Sequence, residues 1–498
     1  MAFGVLEDYN LSHVPGTVNL TDRNEVVEGL EDLKKLGEIT LVPQPSDSPN
    51  DPLNWSPWKK NTLLFVVALT SGVTTSLGPM ISPGLLLLSA RFGKSLDTVS
   101  TFLVGLFLLW TGIFTFFTSA AASVWGKRVV FLMSGLALLA FNAWGFYAKP
   151  FSEFVAMRLM QGFASAPFET LVTSSIQDIF FVHERGKKLA IWGSMITAGV
   201  FLGQVISGVI IQNLGIPYTF GICALIFIPL TTLPKISELS ITAVDSDKPP
   251  KRRYSELAVF RGRVSDVSFW GQVVLPFPLF LYPAVIFGSF VYGTFFAFLV
   301  ALSVVSVPLF SAPPYNLTPS QVGLTNIPLL FAGLLGAPIS GWMADWVIRT
   351  MAKRNNGTYE PEFRLTLMAV GGALSIAGFA GLGISAEMGA PIAYPLAFES
   401  LQSLAVPFAS QAAYAYVTDC HPVNANQAFV TIGLVKAILT FISTTFINGW
   451  FETQGPKTVF LIIAAINFGL VLLTIPMYVF GKRFRSLVAR RIQTEVPK

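Results

Sequence analysis

The sequence predicts an all-α polytopic membrane protein with twelve transmembrane helices in two six-helix bundles. Twelve stretches are apolar over about 20 residues, the length that crosses the hydrocarbon core as a helix. A basic, polar segment at 234–276 divides them into two sets of six. Hydrophobic residues make up 52% of the chain and charged residues 12%, whereas soluble proteins carry about 25% charged residues. In lipid only helices and closed barrels satisfy the backbone, so the function must concern the membrane.

The pattern divides the chain into five parts, and we expect both long polar parts to be solvated linkers. The parts are an N-terminal cytosolic tail (1–58), a first six-helix bundle (59–233), a central cytosolic loop (234–276), a second six-helix bundle (277–480) and a C-terminal cytosolic tail (481–498). The predicted spans lie near 61–82, 98–120, 129–147, 155–179, 189–211, 218–233, 279–305, 322–342, 365–385, 392–417, 428–447 and 457–480.

The distribution of positive charge sets the orientation. If the N-terminus is cytosolic, most of the 33 Lys and Arg residues lie on cytosolic segments. The outer segments then carry only Arg91, Lys94, Lys149 and Lys457. This is a strong positive-inside asymmetry, and it places both termini in the cytosol. It also accounts for the net charge of +5 without any polyanionic partner. We therefore expect membrane lipids as partners and no nucleic acid.

Charged side chains inside the spans are the best indicators of function. A charged group at the bilayer centre costs about 2.5–3.5 kcal/mol on insertion scales. Four such residues fall within predicted spans: Arg158, Glu169, Glu399 and Lys436. We interpret them as candidate residues for proton coupling or solute binding, against the alternative that they only hold helices together.

The fourth span carries one polar stripe. Arg158 and Glu169 are 11 residues apart, which is about 1100° of helix, so they point within about 20° of each other. Gln161 and Ser165 lie along the same line. Glu169 falls near mid-depth, and Pro167 just before it interrupts the helix hydrogen bonds. A carboxyl in this position is a candidate proton site, with Arg158 as its electrostatic partner.

Candidate solute contacts lie in the second bundle. By the same helical arithmetic four residues share one face of the tenth span, and the eleventh span offers a cation that can pair with the first of them. These residues are Glu399, Gln402, Ser403, Tyr414 and Lys436. The seventh span is rich in aromatic residues, including Tyr292 and Phe296, whose rings can stack on an organic cation.

Four local motifs extend the pattern. Gly126-Lys127-Arg128 follows the second span, and Gly341-x-x-x-Asp345-x-x-x-Arg349 follows the eighth, in equivalent places of the two halves. The fourth span contains Arg158-x-x-Gln161-Gly162, and the fifth contains Gly199-x-x-x-Gly203-Gln204-x-x-Ser207-Gly208. Five further strings are "DPLNW" at 51–55, "APFE" at 166–169, "DIFFVHERG" at 178–186, "NNGTYEPEFRL" at 355–365 and "GKRFR" at 481–485.

With these motifs the chain resembles the major facilitator superfamily. The strings resemble its fungal twelve-helix drug:proton antiporter branch, particularly the polyamine and organic-cation transporter-like group. The resemblance implies proton coupling through Glu169, Arg158 and Gln161, and a cytosolic gate formed by Gly341, Asp345, Arg349, Lys127 and Arg128. Gln204 stands where the antiporter signature of the fifth span has Pro, and Ser207 where it has Gly, so the motif does not decide between import and export. We include Gln204 among the candidate solute contacts.

These observations predict a proton-coupled secondary transporter that moves a small organic, cationic or amphipathic solute, such as a drug, toxin or polyamine, by alternating access. The alternative is a non-transporting membrane receptor on the same fold. We expect no enzyme, because the three histidines form no metal-spaced cluster and no phosphate-binding Gly-x-x-x-x-Gly-Lys-Ser/Thr loop is present. We expect no cofactor, no metal, a monomer, and a multi-pass location in the plasma membrane, with the vacuolar membrane as the alternative.

Overall fold

The structure is a computed structural model that describes residues 4–7, 11, 14–19, 35–36, 39–40, 45, 51–232, 262–421 and 424–495. The described residues of the predicted spans lie on helical segments, and eight helical stretches among the described residues are long and apolar enough to cross a membrane by length and composition. The predicted all-α polytopic fold is therefore confirmed. Most of the central loop, from residue 233 to 261, lies outside the described residues.

The helices have the following bounds in chain order: α1 Pro57–Ser76, α2 Leu85–Phe92, α3 Leu96–Ser100, α4 Leu106–Trp125, α5 Lys127–Tyr147, α6 Phe151–Ile179, α7 Val182–Asn213, α8 Ile216–Thr232, α9 Phe269–Val274, α10 Pro283–Ser311, α11 Pro319–Leu324, α12 Asn326–Arg354, α13 Leu367–Glu387, α14 Ala393–Ser410, α15 Tyr416–Cys420 and α16 Ala425–Glu495. α16 joins the last two predicted spans across a kink at Gly455, whose φ is 76°. Four short strands are β1 Val18–Asn19, β2 Lys35–Leu36, β3 Ile39–Thr40 and β4 Thr358–Tyr359.

The helical stretches Pro57–Phe92 and Leu96–Trp125 each contain a break with non-α geometry. A 3-10 segment, Pro79–Gly84, separates α1 from α2. A π-helical segment, Thr101–Gly105, joins α3 to α4. Proline removes a backbone donor and ends regular helix, and single π turns are frequent at functional sites. The 3-10 segment begins inside the first predicted span, 61–82, and α2 lies beyond that span, whereas the π segment lies within the second predicted span, between α3 and α4. We call α2 and α3 the outer pieces of the first two spans, after the side on which the charge pattern of the sequence predicts them to lie.

The chain forms two compact units, and the breaks mark where it passes from one to the other. The N-terminal unit comprises Val26–Gly84 and Phe102–Leu275. The C-terminal unit comprises Met1–Glu25, Leu85–Thr101 and Pro276–Lys498. The outer pieces α2 and α3 therefore belong to the C-terminal unit.

The start of α1 explains the first of the family-like strings. Asp51 caps the 3-10 turn Pro52–Asn54 by accepting from the Leu53 N–H at 2.8 Å. Ser56 is the N-cap of α1, a position that favours Ser because its hydroxyl accepts from an otherwise unpaired N–H. Lys60 then donates to the Leu53 carbonyl at 2.8 Å. These bonds fix the start of α1.

Close contact between glycines holds α1 against α7 in the N-terminal unit. A Cβ added to Gly199 would lie 2.0 Å from the Gly72 carbonyl oxygen, and one added to Gly203 would lie 2.6 Å from Ser76 Cβ. Small residues at four-residue spacing let helix backbones approach in membranes. The glycines of the fifth-span motif therefore have a packing role in this structure.

Part of the N-terminal tail packs on the C-terminal unit, which corrects the expected solvated linker. The Val5 side chain is fully buried, and the Leu6 N–H donates to the Val479 carbonyl at 2.9 Å. β1 pairs antiparallel with β4, so that Val18 lies opposite Tyr359. Burial of apolar side chains and backbone pairing both favour this docked arrangement.

Gly199→Ala tests the α1–α7 contact. The added methyl group has no space, and overpacking of this kind costs about 1–3 kcal/mol. We expect the variant purified in detergent to melt several degrees below the parent. Gly193→Ala is the matched control on the same helix, because its Cβ would meet no atom within 4 Å. Equal melting temperatures for the two variants would contradict the packing account.

Candidate functional site

Arg158 is the most deeply buried cation of the N-terminal unit, with no exposed surface. Its Nε donates to the Leu103 carbonyl at 2.6 Å, Nη1 to the Leu77 carbonyl at 2.7 Å, and Nη2 to the Gly78 carbonyl at 3.0 Å. The guanidinium also lies 4.3 Å from the centre of the Phe107 ring. Backbone dipoles and an aromatic face thus replace the water lost on burial.

The acceptors of Arg158 lie at the two helix breaks. Leu77 and Gly78 directly follow α1 and precede the 3-10 segment, while Leu103 is inside the π segment. Where a helix changes its hydrogen-bond pattern, carbonyl oxygens lose their regular partners. A planar guanidinium with several fixed donors can satisfy carbonyls on two helices at once. Arg158 therefore holds both breaks from a third helix, α6.

The rest of the predicted stripe divides into a buried polar network and a half-buried carboxyl. Gln161 Oε1 accepts from Arg158 Nη1 at 2.9 Å, and Gln161 Nε2 donates to Asn142 Oδ1 on α5 at 3.0 Å. Ser165 donates to its own helix at 2.7 Å. Glu169 is half-buried. The network ties α6 to α5, and an effect of Arg158 on Glu169 stays a prediction.

The C-terminal unit contains a related arrangement with an acid in place of the cation. Glu399 and Gln402 on α14 have the same three-residue spacing as Arg158 and Gln161, and both are buried. Glu399 Oε1 accepts from the Ser306 hydroxyl on α10. Gln402 Nε2 donates to the Phe295 carbonyl, also on α10, at 3.2 Å.

Further bonds join α14 to three more helices. Gln402 Oε1 accepts from Ser375 on α13, whose hydroxyl accepts from Asn467 on α16 at 2.7 Å. The Ser403 hydroxyl donates to the Leu329 carbonyl on α12 at 2.7 Å. Gln402 and Ser403, which we predicted as solute contacts, therefore hold helices together here.

Aromatic side chains from three helices form a half-buried group beside this network. Tyr292 packs edge-on against Tyr414 at 4.7 Å between ring centres, and Tyr414 against Phe429 at 4.9 Å. Phe296 extends the group, 6.0 Å from Tyr292. Lys436 Nζ lies 4.6 Å from the centre of the Phe296 ring. We call Tyr292, Phe296, Tyr414 and Phe429 the aromatic group.

The structure gives Glu399 and Lys436 different partners, although the sequence suggested that they can pair. Glu399 bonds to Ser306, whereas Lys436 lies over Phe296. Gln204 is buried in α7 and donates to the Val200 carbonyl of its own helix at 3.3 Å. Gln204 belongs to the N-terminal unit, whereas the aromatic group belongs to the C-terminal unit.

The predicted gating residues lie near helix ends with differing exposure. Asp345 and Arg349 on α12 are exposed, and a Cβ added to Gly341 would meet no atom within 4 Å. Lys127 forms an ion pair with Asp178 at the end of α6, and Arg128 beside it is buried. Their predicted role in a cytosolic gate stays a prediction.

A buried ion cluster beside the C-terminal part of α16 escaped the sequence reasoning. Arg485 donates to Glu362 through Nε and Nη2 at 2.9 and 2.8 Å, and Nη2 also lies 2.9 Å from Glu360. Lys482 bridges Glu360 and Glu7 of the docked tail, 2.6 Å from each. The two acids, Glu360 and Glu362, lie in the string at 355–365, and the two bases, Lys482 and Arg485, lie in the string at 481–485. The opposite charges of these two strings were the sequence signal that could have predicted the cluster.

A second ion pair lies next to this cluster. Arg364 Nε donates to Asp419 at 2.6 Å, and the Tyr359 hydroxyl donates to the same carboxylate. Burial raises the pKa of Tyr359 well above its usual value, so the phenol stays protonated and remains a donor. Together with the cluster, these bonds join the segment after α12 to α15 and to the C-terminal part of α16.

Apolar spans with buried charges and polar networks between helices define an integral membrane transport protein. Residues 63–429 match the family described as Major Facilitator Superfamily, and the chain belongs to this family. It is 24% identical to an uncharacterized MFS-type transporter of Schizosaccharomyces pombe, over 98% of this chain and 95% of the other. It is 24% identical to Protein HOL1 of Saccharomyces cerevisiae, over 96% of both chains.

A partial match is also informative. Quinidine resistance protein 3 of Saccharomyces cerevisiae is 27% identical over 31% of this chain and 22% of its own. Transporters of this superfamily move small-molecule solutes across membranes. The chain is therefore a multi-pass membrane transporter rather than an enzyme.

Arg158→Lys tests whether the guanidinium stabilises the two helix breaks. An ammonium cannot reach carbonyls on two helices in one plane, and each buried acceptor left without a donor costs about 1–3 kcal/mol. We expect a large drop in melting temperature. Arg185→Lys is the control, since Arg185 also donates to backbone carbonyls, at 2.7 and 3.0 Å, but is only half-buried. A parent-like melting curve for Arg158→Lys would contradict the account.

Proposed function

We propose that this protein is a proton-coupled secondary transporter of a small organic solute that carries a positive charge or is amphipathic. It works by alternating access as a monomer, in the plasma membrane. The observation that carries the proposal is the aromatic group, which lies in the same unit as the buried carboxyl of Glu399. Flat π-faces and a carboxylate in an apolar setting are what an organic cation requires.

The position of Lys436 supports the choice of a cationic solute. Its ammonium lies over the Phe296 ring, so this ring face already accepts a positive charge in the geometry of a cation–π contact. A solute ammonium can use the faces of Tyr292 and Tyr414 in the same way. The Glu399 side chain is only 2% exposed, and it supplies negative charge where little water competes.

The name of one similar protein, Quinidine resistance protein 3, agrees with this solute class. Quinidine resistance protein 3 is named for a drug that carries a basic amine. The similarity supports a cationic or amphipathic solute for the present chain. It does not identify the solute, because the alignment covers only 31% of this chain.

Proton coupling is assigned in this proposal to Glu169. The residue lies on α6 two positions after Pro167, which is inside the helix and cannot donate a backbone hydrogen bond. Arg158 and Gln161 hold the same helix to its neighbours, so a change in charge at Glu169 can be transmitted along α6 to the helix breaks. The exposed Asp345 and Arg349, with Gly341, Lys127 and Arg128, act at the cytosolic gate.

Glu169→Gln tests the coupling role in proteoliposomes with an imposed pH gradient. Three labelled probes are used: spermidine and quinidine, which are cationic, and an anionic dye. The amide keeps the shape of a protonated carboxyl but carries no exchangeable charge. We expect proton-driven accumulation of a cationic probe to be lost, while exchange of that probe down its own gradient persists.

Glu153→Gln is the matched control, a carboxyl at the outer end of the same helix. It should accumulate the probe at the parent rate. If Glu169→Gln still concentrates the probe with an unaltered pH dependence, Glu169 is not the coupling site, and Glu399 is the next candidate. Transport of the anionic dye alone would overturn the proposed solute class.

A further inference from the structure

The outer pieces of the first two spans make specific polar contacts with α16. The Ser100 hydroxyl, at the end of α3, donates to the Thr444 carbonyl at 3.1 Å and accepts from Asn448 Nδ2 at 3.1 Å. The Gly449 N–H donates to Asp97 Oδ2 at 2.9 Å. All five residues belong to the C-terminal unit. Ser100, Thr444 and Asn448 are almost completely buried, so these bonds lie inside a packed contact.

Gly449 is required at this contact for space. A Cβ built on it would lie 2.5 Å from Asp97 Oδ2, a distance that atoms not bonded to each other do not adopt. Any other residue would displace the Asp97 carboxylate and break its hydrogen bond to the Gly449 N–H. A backbone N–H pointing at a carboxylate, with no side chain between them, is a contact that sequence alone does not reveal.

The contact lies at the end of a polar line on α16. Lys436, Thr440, Thr444 and Asn448 follow one another at four-residue spacing, so they share one face of the helix. All four are buried. The line begins at Lys436, which touches the aromatic group, and ends at Asn448 near the outer side. It therefore leads from the proposed solute site to the contact with α3.

The closed contact is not fully satisfied. Among the described residues, Asp97 Oδ1 and Asn448 Oδ1 are buried acceptors with no hydrogen-bond partner. Unsatisfied buried acceptors cost free energy.

Resting on the proposed alternating-access function, we propose that Asp97 and Ser100 with Thr444, Asn448 and Gly449 form an outer latch that closes the extracellular path to the solute site. The outer pieces that carry the latch are bounded by the 3-10 segment Pro79–Gly84 and the π segment Thr101–Gly105. Such irregular segments absorb the backbone changes of a hinge. The latch opens when α2 and α3 swing away from α16 about these two segments.

The test measures access from outside without using any solute. Thr440→Cys places a thiol of nearly the same size one turn below Thr444, in a chain whose Cys223 and Cys420 are replaced by Ser. Intact cells are treated with a membrane-impermeant maleimide, and the labelling rate is measured. We expect slow labelling in this parent, because Thr440 has no exposed surface.

Gly449→Ala should raise the external labelling rate on the order of tenfold, since it breaks a hydrogen bond to a charged acceptor. Gly433→Ala on the same helix is the matched control, because its Cβ would meet no atom within 4 Å, and it should label like the parent.

A double-mutant experiment tests for direct contact between Gly449 and Asp97. In Asp97→Ala the obstructing carboxylate is gone. Adding Gly449→Ala to it should therefore have little further effect, a non-additivity that reports direct contact.

A folded Gly449→Ala protein that labels at the parent rate would overturn the latch. If this variant does not fold, Ser100→Ala decides, since it removes one hydroxyl without adding volume. A several-fold increase for Ser100→Ala supports the latch, and an unchanged rate refutes it. If every solute probe fails in proteoliposomes while Gly449→Ala still labels faster, the proposed solute and coupling are wrong and the latch stands.

Discussion

The guanidinium of Arg158 and the backbone carbonyls it bonds are the interaction on which the N-terminal unit depends. A charge in the middle of a membrane span costs about 2.5–3.5 kcal/mol on insertion scales, and carbonyls freed by a helix break are costly as well. Arg158 offsets both costs together, because its donors reach Leu77, Gly78 and Leu103 at two separate breaks. The irregular segments of the first two spans can exist in lipid because this side chain satisfies them.

The C-terminal unit uses buried polar groups differently. On α14, at the spacing that Arg158 and Gln161 have on α6, Glu399 and Gln402 face hydroxyl and amide partners from neighbouring helices. The aromatic group and Lys436 lie in the same unit, as do the outer pieces α2 and α3. The Glu360, Glu362 and Arg485 cluster holds the segment after α12 against the C-terminal part of α16, and removal of one partner would leave a buried charge uncompensated.

The fold was predictable from the sequence because hydrophobic length and positive charge report directly on membrane spans. The stripe on α6 was predictable because helical periodicity places Arg158 and Gln161 on one face. The hydrogen-bond partners of Arg158 were not predictable, because they are backbone carbonyls, which are present at every residue whatever its side chain. The docking of Val5 and Glu7 on the C-terminal unit was also missed, because polar tails and docked segments have the same composition. The role of Gly449 in the contact with α3 could not be predicted, because it depends on the Asp97 carboxylate that lies next to it in the fold.

The central claim is that the outer pieces of the first two spans move against α16 about segments held by Arg158. The direct measurement is the distance between spin labels on Lys94 and Thr453, two exposed positions of the C-terminal unit. We expect two distance populations whose ratio shifts when pH changes or a cationic solute such as spermidine or quinidine is added, because ligands redistribute existing conformations. A single narrow distribution that does not change with either condition would contradict the claim.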